Sequence, residues 1–274
     1  MTGLGFFLSY SKLASFRRCR KQYWFSYLSG EPRPPDPASA PGIVGKAVHR
    51  GMQLLVESRS ASLARAEIEL YLRQPAHEVA GPGTEAYENA LRYFDAGVDV
   101  SAAIPAHTTW VERDLRHESA NGVIFFARVD RIDLLEDSSY QAIDWKTGID
   151  RDDWTDEQLD IIHVAARSAA SVPAASPMTT IAWNLREKVR NPDYAPRTRF
   201  LERRDAIHTL NWGYAVAETM RSTAEFDAMP GNHCGYCNWR PRCPEADMSI
   251  STSWEAPDII APADDDDAAS GELD

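Results

Sequence analysis

The sequence has only four cysteines, no phosphate-cradling glycine loop, no long apolar run and no surplus of positive charge. Each shortage excludes something. Without about 18 consecutive apolar residues, no transmembrane helix is expected. The opening MTGLGFFLSYSKL lacks a charged stretch followed by a long apolar one, so no secretory signal is read there. The chain is therefore expected to be cytoplasmic, with no membrane partner. A Gly-Lys pair occurs at 45–46, but Ala40 stands where a phosphate loop needs glycine and Ala47 follows the lysine. No ATP-driven motor is expected in this chain. No G-x-S-x-G element suggests a covalent serine intermediate.

The net charge of −12 has the wrong sign for a nucleic-acid binder. Its distribution changes that reading. Residues 249–274 carry eight acidic side chains and no lysine or arginine. The segment is poor in aromatics and rich in Ala, Asp, Pro and Ser, so it reads as a disordered acidic tail. It could solubilise the chain, mimic DNA or bind a partner. Residues 1–248, apolar enough for a substantial core, read as one domain.

What is present centres on Phe125–Gly148, FFARVDRIDLLEDSSYQAIDWKTG. Two β-rich stretches flank a short polar turn. Side chains alternate faces along a strand, so Asp144 and Lys146 point one way and Trp145 the other. If the strands pair antiparallel around Glu136–Ser139, Asp130 comes near Asp144. Two carboxylates that close are unfavourable unless a cation sits between them. Hard oxygen donors select Mg²⁺ or Mn²⁺. An exposed hairpin with charges on its wet face explains the Asp-x-Lys triplet equally well when it is taken alone.

The rest of the chain alternates helix and strand. A basic, aromatic helix is expected over Ser9–Leu28, N-capped by Ser11, with Cys19 in its middle. A proline-rich loop spans 30–41. Helices follow over 42–58 (carrying His49), 63–72 and 85–100. Thr108–Arg116 makes a three-stranded meander with the two central strands. A helix over 156–170, a strand over 179–185 and a long helix over 203–224 complete a mixed α/β pattern. Cys234, Cys237 and Cys243 are spaced C-x2-C-x5-C, with Cys19 over two hundred residues upstream. Disulfides are not expected in a cytoplasmic chain. Four thiolates point instead to a zinc ion or an iron–sulfur cluster.

Read in order, these segments resemble a RecB-type nuclease of the PD-(D/E)XK superfamily, iron–sulfur branch, similar to the AddB nuclease domain and to CRISPR-associated RecB-like spacer-processing exonucleases. The resemblance rests on Ser9, Ser11, Leu13, Phe16 and Cys19, on Gly45 to His49, on Ala127-Arg128-Val129-Asp130-Arg131-Ile132-Asp133, on Asp144 to Gly148, on Gln158-Leu159 and on Cys234, Cys237 and Cys243. It spans residues 9–246. Ala127 replaces the usual glycine, and Ile162, with His163 beside it, stands where the family pattern has tyrosine.

The resemblance implies a restriction-endonuclease-like core, a central mixed β-sheet flanked by helices, with a helical subdomain stapled by iron–sulfur between the N- and C-terminal ends. It implies that His49, Asp130, Asp144 and the backbone carbonyl of Trp145 ligate Mg²⁺ or Mn²⁺. Lys146 would hold and help deprotonate the attacking water or neutralise the scissile phosphate. Gln158 would orient DNA or water. Cys19, Cys234, Cys237 and Cys243 would bind one [4Fe–4S] cluster, with zinc the alternative. Arg17, Arg18, Arg20, Lys21, Arg240 and Arg242 would line a DNA channel, with Tyr23, Trp24 and Trp239 as base-stacking candidates. The implied function is metal-dependent hydrolysis of DNA, as an exonuclease or end processor acting on single strands or frayed ends. The alternative is an accessory subunit serving a helicase or an integrase complex, with little activity alone.

Overall fold

A computed structural model describes residues 5–35, 39–148, 152–167, 172–173 and 176–250. The acidic tail beyond Ile250 lies outside them. The helices are α1 (Tyr10–Arg18), α2 (Arg20–Tyr27), α3 (Ala40–Ser58), α4 (Ala61–Leu72), α5 (Glu85–Ala102), α6 (Asp152–Arg167), α7 (Leu185–Arg190) and α8 (Arg203–Ser222). The strands are β1 (Phe6–Leu8), β2 (Ala106–Glu118), β3 (Val123–Leu135), β4 (Tyr140–Lys146), β5 (Met178–Asn184) and β6 (Arg197–Phe200).

The six strands form one mixed sheet in the order β1-β3-β4-β5-β6, with β2 on the remaining edge of β3. β2, β3 and β4 make the expected antiparallel meander. β4 then runs parallel to β5, which requires the α6 crossover between them. β1 joins β3 in parallel at Phe6↔Val123, so β1 and β4 share one edge of β3. β1, β6 and α7 are too short to leave a periodic signal, and the sequence reading missed them.

The sheet is covered on both faces. Helices α3, α4 and α5 pack through Val48, Met52, Ile68 and Phe94 against Ile143 and Trp145 of β4. α6 packs through Leu159, Ile161 and Ile162 against Val129, Ile132 and Ala142. Two-sided cover explains why six residues of β4, Tyr140 to Trp145, are all buried, with no wet face. α8 and the α1–α2 pair close a third cluster on Leu8 and Phe125.

Two expectations change at the N-terminus. Ser9, not Ser11, caps α1, its hydroxyl accepting from the Lys12 N–H. The single helix expected over 9–28 is two, broken at Cys19, whose backbone is extended (φ −160°, ψ 112°). The break turns Cys19 out of helical register.

Candidate active site and thiol cavity

The β3–β4 register pairs Arg131 with Ile143, so Asp130 stands across from Asp144 one step further on. Asp144 is 7% exposed in its side chain and lies 2.6 Å from the Lys146 ammonium. The two share a face because they stand two positions apart along β4, with only Trp145 between them. Trp145 points the other way, into the core. Its backbone N–H donates to Asp130 Oδ2 at 2.6 Å. From α6, Gln158 Nε2 donates to Asp144 Oδ1 at 3.2 Å. From α3, His49 Nδ1 lies 3.1 Å from Asp130 Oδ1. Gly45, one turn before His49, allows this approach: a Cβ there would sit 3.3 Å from Thr147 Oγ1. Four separate elements thus bring His49, Asp130, Asp144, Lys146 and Gln158 to one place.

A sixth residue joins them that the sequence reading missed. The β2–β3 register is regular at Val111↔Arg131 and Arg113↔Val129, which puts Glu112 opposite Asp130. Glu112 has φ of 47°, left-handed for a residue with a side chain. Ligand atoms of His49, Glu112 and Asp130 lie within 4.8 Å of one another. The signal was available: Asn121-Gly122 marks the β2–β3 turn, and Gly122 has φ of 70°. Counting back from that turn aligns 112 with 130.

The site carries more negative charge than its cations balance. Burial would lower the His49 imidazole, but the charge and hydrogen bond of Asp130 outweigh it and hold the ring up to about 9. Burial would raise Asp130; His49 and the Trp145 N–H overcome it and hold the carboxyl below its usual range. Asp144 is pushed up by burial, with Lys146 opposing and Asp130 adding its like charge. Glu112 is raised to about 7 by burial and then by Asp130. The two carboxylates and one imidazole that converge, with Asp144 opposite Asp130, are donors suited to Mg²⁺ or Mn²⁺.

Elsewhere, Cys19, Cys234, Cys237 and Cys243 line one small cavity of about 20 Å³. The Met229 N–H donates to Cys19 Sγ at 3.4 Å. Burial pushes the Cys237 thiol up to about 11, and the other three cysteines add to the shift. The sulfurs do not draw together as tightly as the His49 group: among the described residues, no three of them fall within 4.8 Å of one another.

The proposed DNA-channel residues divide. Arg17 is exposed, forks onto Glu157 beside Gln158 and stacks over Trp212. Arg18 covers Tyr236, Arg20 covers Phe16 and Lys21 covers Trp24. Arg242 pairs with Glu31 at 3.1 Å. Three assignments are corrected. Tyr23 is 2% exposed and packed against Phe16 and Tyr27, so it cannot stack on a base. Trp239 is fully buried, its ring stacked on Phe25. Arg240 is buried beside the thiol cavity rather than presented to solvent. Ile162, at the family's tyrosine position, is a core residue.

Among the described residues, no helix is long and apolar enough to cross a membrane. No curated protein matches the sequence. Among solved structures, a "Putative exonuclease" from Eubacterium rectale is similar at 12% identity, with 90% of this chain and 91% of that chain covered and a TM-score of 0.49. SSO0001 is similar at 13% identity, covering 75% and 86%, with a TM-score of 0.33. Likeness at that level carries no functional weight. The family comparison does: the PD-(D/E)XK nuclease model matches residues 7–244, a span that takes in both opposed aspartates, the lysine two residues on and the mixed sheet that holds them. The chain belongs to the PD-(D/E)XK nuclease superfamily.

Proposed function

We propose that this protein is a divalent-metal-dependent deoxyribonuclease, an exonuclease or end processor acting on single-stranded or frayed DNA. The observation that supports it most directly is the opposition of Asp130 and Asp144 with Lys146 held 2.6 Å from Asp144. His49, Asp130, Asp144, Glu112 and the Trp145 carbonyl are the candidate ligands. A bound divalent ion supplies hydroxide near neutral pH and charge for the pentacovalent phosphorus. The protein's part is to position. Lys146 keeps an ammonium beside the reacting phosphate, where it steadies the attacking water or the developing charge. Gln158 fixes Asp144 through its amide and leaves its carbonyl for a water or a nucleotide. Arg17, exposed and anchored by Glu157, marks where a phosphate backbone would enter.

We place the chain in the iron–sulfur branch, with Cys19, Cys234, Cys237 and Cys243 holding a [4Fe–4S] cluster. A single tetrahedral zinc ion would draw four sulfurs to about 3.8 Å apart. No three of the described sulfurs are drawn up that tightly, and it is the motif order, not their geometry, that favours the larger centre. Its role would be structural, since it ties α1 to the C-terminal segment and closes a very long loop.

The test is cleavage of end-labelled single- and double-stranded DNA with Mg²⁺ or Mn²⁺, comparing wild type with Asp144→Ala and Lys146→Ala. Cleavage that needs the metal and both side chains supports the reading; equal activity in all three proteins removes it. A brown anaerobic preparation absorbing near 400 nm supports the cluster, and a colourless one with stoichiometric zinc replaces it. Ile162 in place of tyrosine favours a second reading, an accessory subunit for a helicase or integrase. That reading gains if the isolated chain binds DNA without cutting it and co-purifies with such a partner.

A further inference from the structure

The Arg240 guanidinium is buried, and two of its three nitrogens have no hydrogen-bond acceptor among the described residues. The residue is 9% exposed. Its Nη2 donates to the Ile250 carbonyl at 2.7 Å. Its Nε and Nη1 are shut away from solvent and find no hydrogen-bond acceptor among the described residues. Asp247 feels its charge but is only half-buried and accepts from Ser249 instead. A buried cation without acceptors is strongly unfavourable unless an anion sits beside it. Arg240 lines the same cavity as Cys19, Cys234, Cys237 and Cys243.

Metal-loaded, that cavity contains such an anion. Four thiolates around a zinc ion, or around a cubane core of charge +2, leave a net charge of about −2. Burying this charge needs a counter-ion for the same reason that burying the guanidinium does. We infer that Arg240 is the counter-ion of the thiolate metal centre: two of its nitrogens lack acceptors and it lines the cavity the thiols share, so it holds the centre in place and tunes it. Arg240 is therefore a positioning residue. It anchors the Cys237–Cys243 loop from within, while its third nitrogen ties that loop to the segment leading into the acidic tail. The inference rests on the thiols binding a metal and does not depend on which metal it is.

The experiment uses the full chain purified anaerobically, as wild type, Arg240→Met, Arg240→Gln and Arg240→Lys. Iron and zinc are measured, and release is then followed under excess chelator. Methionine removes charge and donors, glutamine keeps a donor for Ile250 without charge, and lysine keeps the charge. Expected are release about tenfold faster in the Met and Gln variants and near-wild-type release in the Lys variant. In an iron-loaded protein the midpoint potential should fall in the uncharged variants, because removing a buried positive charge disfavours the added electron. A merely structural role would leave the potential unmoved. A wild-type arm needs no substitution: phenylglyoxal should modify Arg240 about tenfold faster after the metal is stripped. Unchanged release and potential in the uncharged variants would overturn the inference. So would equal modification with and without metal if those variants do not fold. Wild type that binds no metal at all would instead remove the thiol-centre reading itself.

Discussion

Glu112 and Asp130 stand directly opposite each other on neighbouring antiparallel strands, and the backbone of Glu112 is left-handed at that point. Like charges opposed across a ladder are destabilising. A left-handed residue with a side chain costs about 1–3 kcal/mol. Two unfavourable features at one position indicate that Glu112 is kept for the site rather than for the strand. Glu112→Gln should raise the Mg²⁺ concentration for half-maximal cleavage about 10- to 100-fold, the range seen when metal-site support is lost. Metal titration of activity, with calorimetric Mn²⁺ binding alongside, checks it. Glu112→Gly should weaken metal binding similarly yet melt at a higher temperature without metal, because glycine accepts the left-handed backbone.

Lys146→Ala should reduce cleavage by about 10²–10⁴-fold, the range for a lost proton-handling group. DNA binding by the metal-loaded protein should fall far less, since Lys146 is one cation and Arg17 remains. Single-turnover cleavage, read beside a binding isotherm, separates the two effects. A parallel loss of both would mean that Lys146 only holds substrate.

Asp133, the second acid of the D-R-I-D run, takes no part in the chemistry. It is fully buried, accepts from Arg131 Nε at 2.9 Å and Gln141 Nε2 at 2.9 Å, and takes the Thr109 hydroxyl at 2.6 Å. Asp133→Ala strands the Arg131 guanidinium in the sheet. The expected cost is about 3–5 kcal/mol, the usual result of breaking a buried pair on one side. Urea denaturation measures it.

His163 should make the fold acid-sensitive. It is 1% exposed, its Nε2 accepts from Arg167 Nε at 3.3 Å, and burial followed by the Arg167 charge lowers it to about 4. The unfolded imidazole titrates near its ordinary 6.5, so between those values the unfolded chain binds the extra proton. Stability is full above pH 6.5 and falls as pH drops toward 4, by up to roughly 3 kcal/mol. His163→Leu should flatten that stretch of the stability–pH curve. An unchanged slope in the variant would assign the acid sensitivity elsewhere.

Much of the site was legible because its residues lie in or near one hairpin. The polar turn at 136–139 sets the β3–β4 register, and the register decides that Asp130 meets Asp144. Gln158 and His49 were reached only through the family's motif order; nothing in their own helices distinguishes them from surface residues. Glu112 was overlooked because an acid in a charged strand looks like a wet-face residue. Tyr23 and Arg240 were misread because a basic, aromatic segment looks the same whether its rings face DNA or the core. Here Phe16, Tyr27 and Phe226 surround Tyr23, and the thiol cavity encloses Arg240.

Alternation along the strands, turn residues and helix periodicity are local properties, and from them the sequence alone determined the α/β class, the central meander and the pairing of its two aspartates. Partners from distant segments obey no local rule. That α3 brings His49 to Asp130, that a left-handed Glu112 completes the cluster, and that Cys19 leaves its helix to share a cavity with three cysteines over two hundred residues away were settled only when the helices packed on the sheet. Burial then decided which charges stayed in water and which had to find a counter-charge inside.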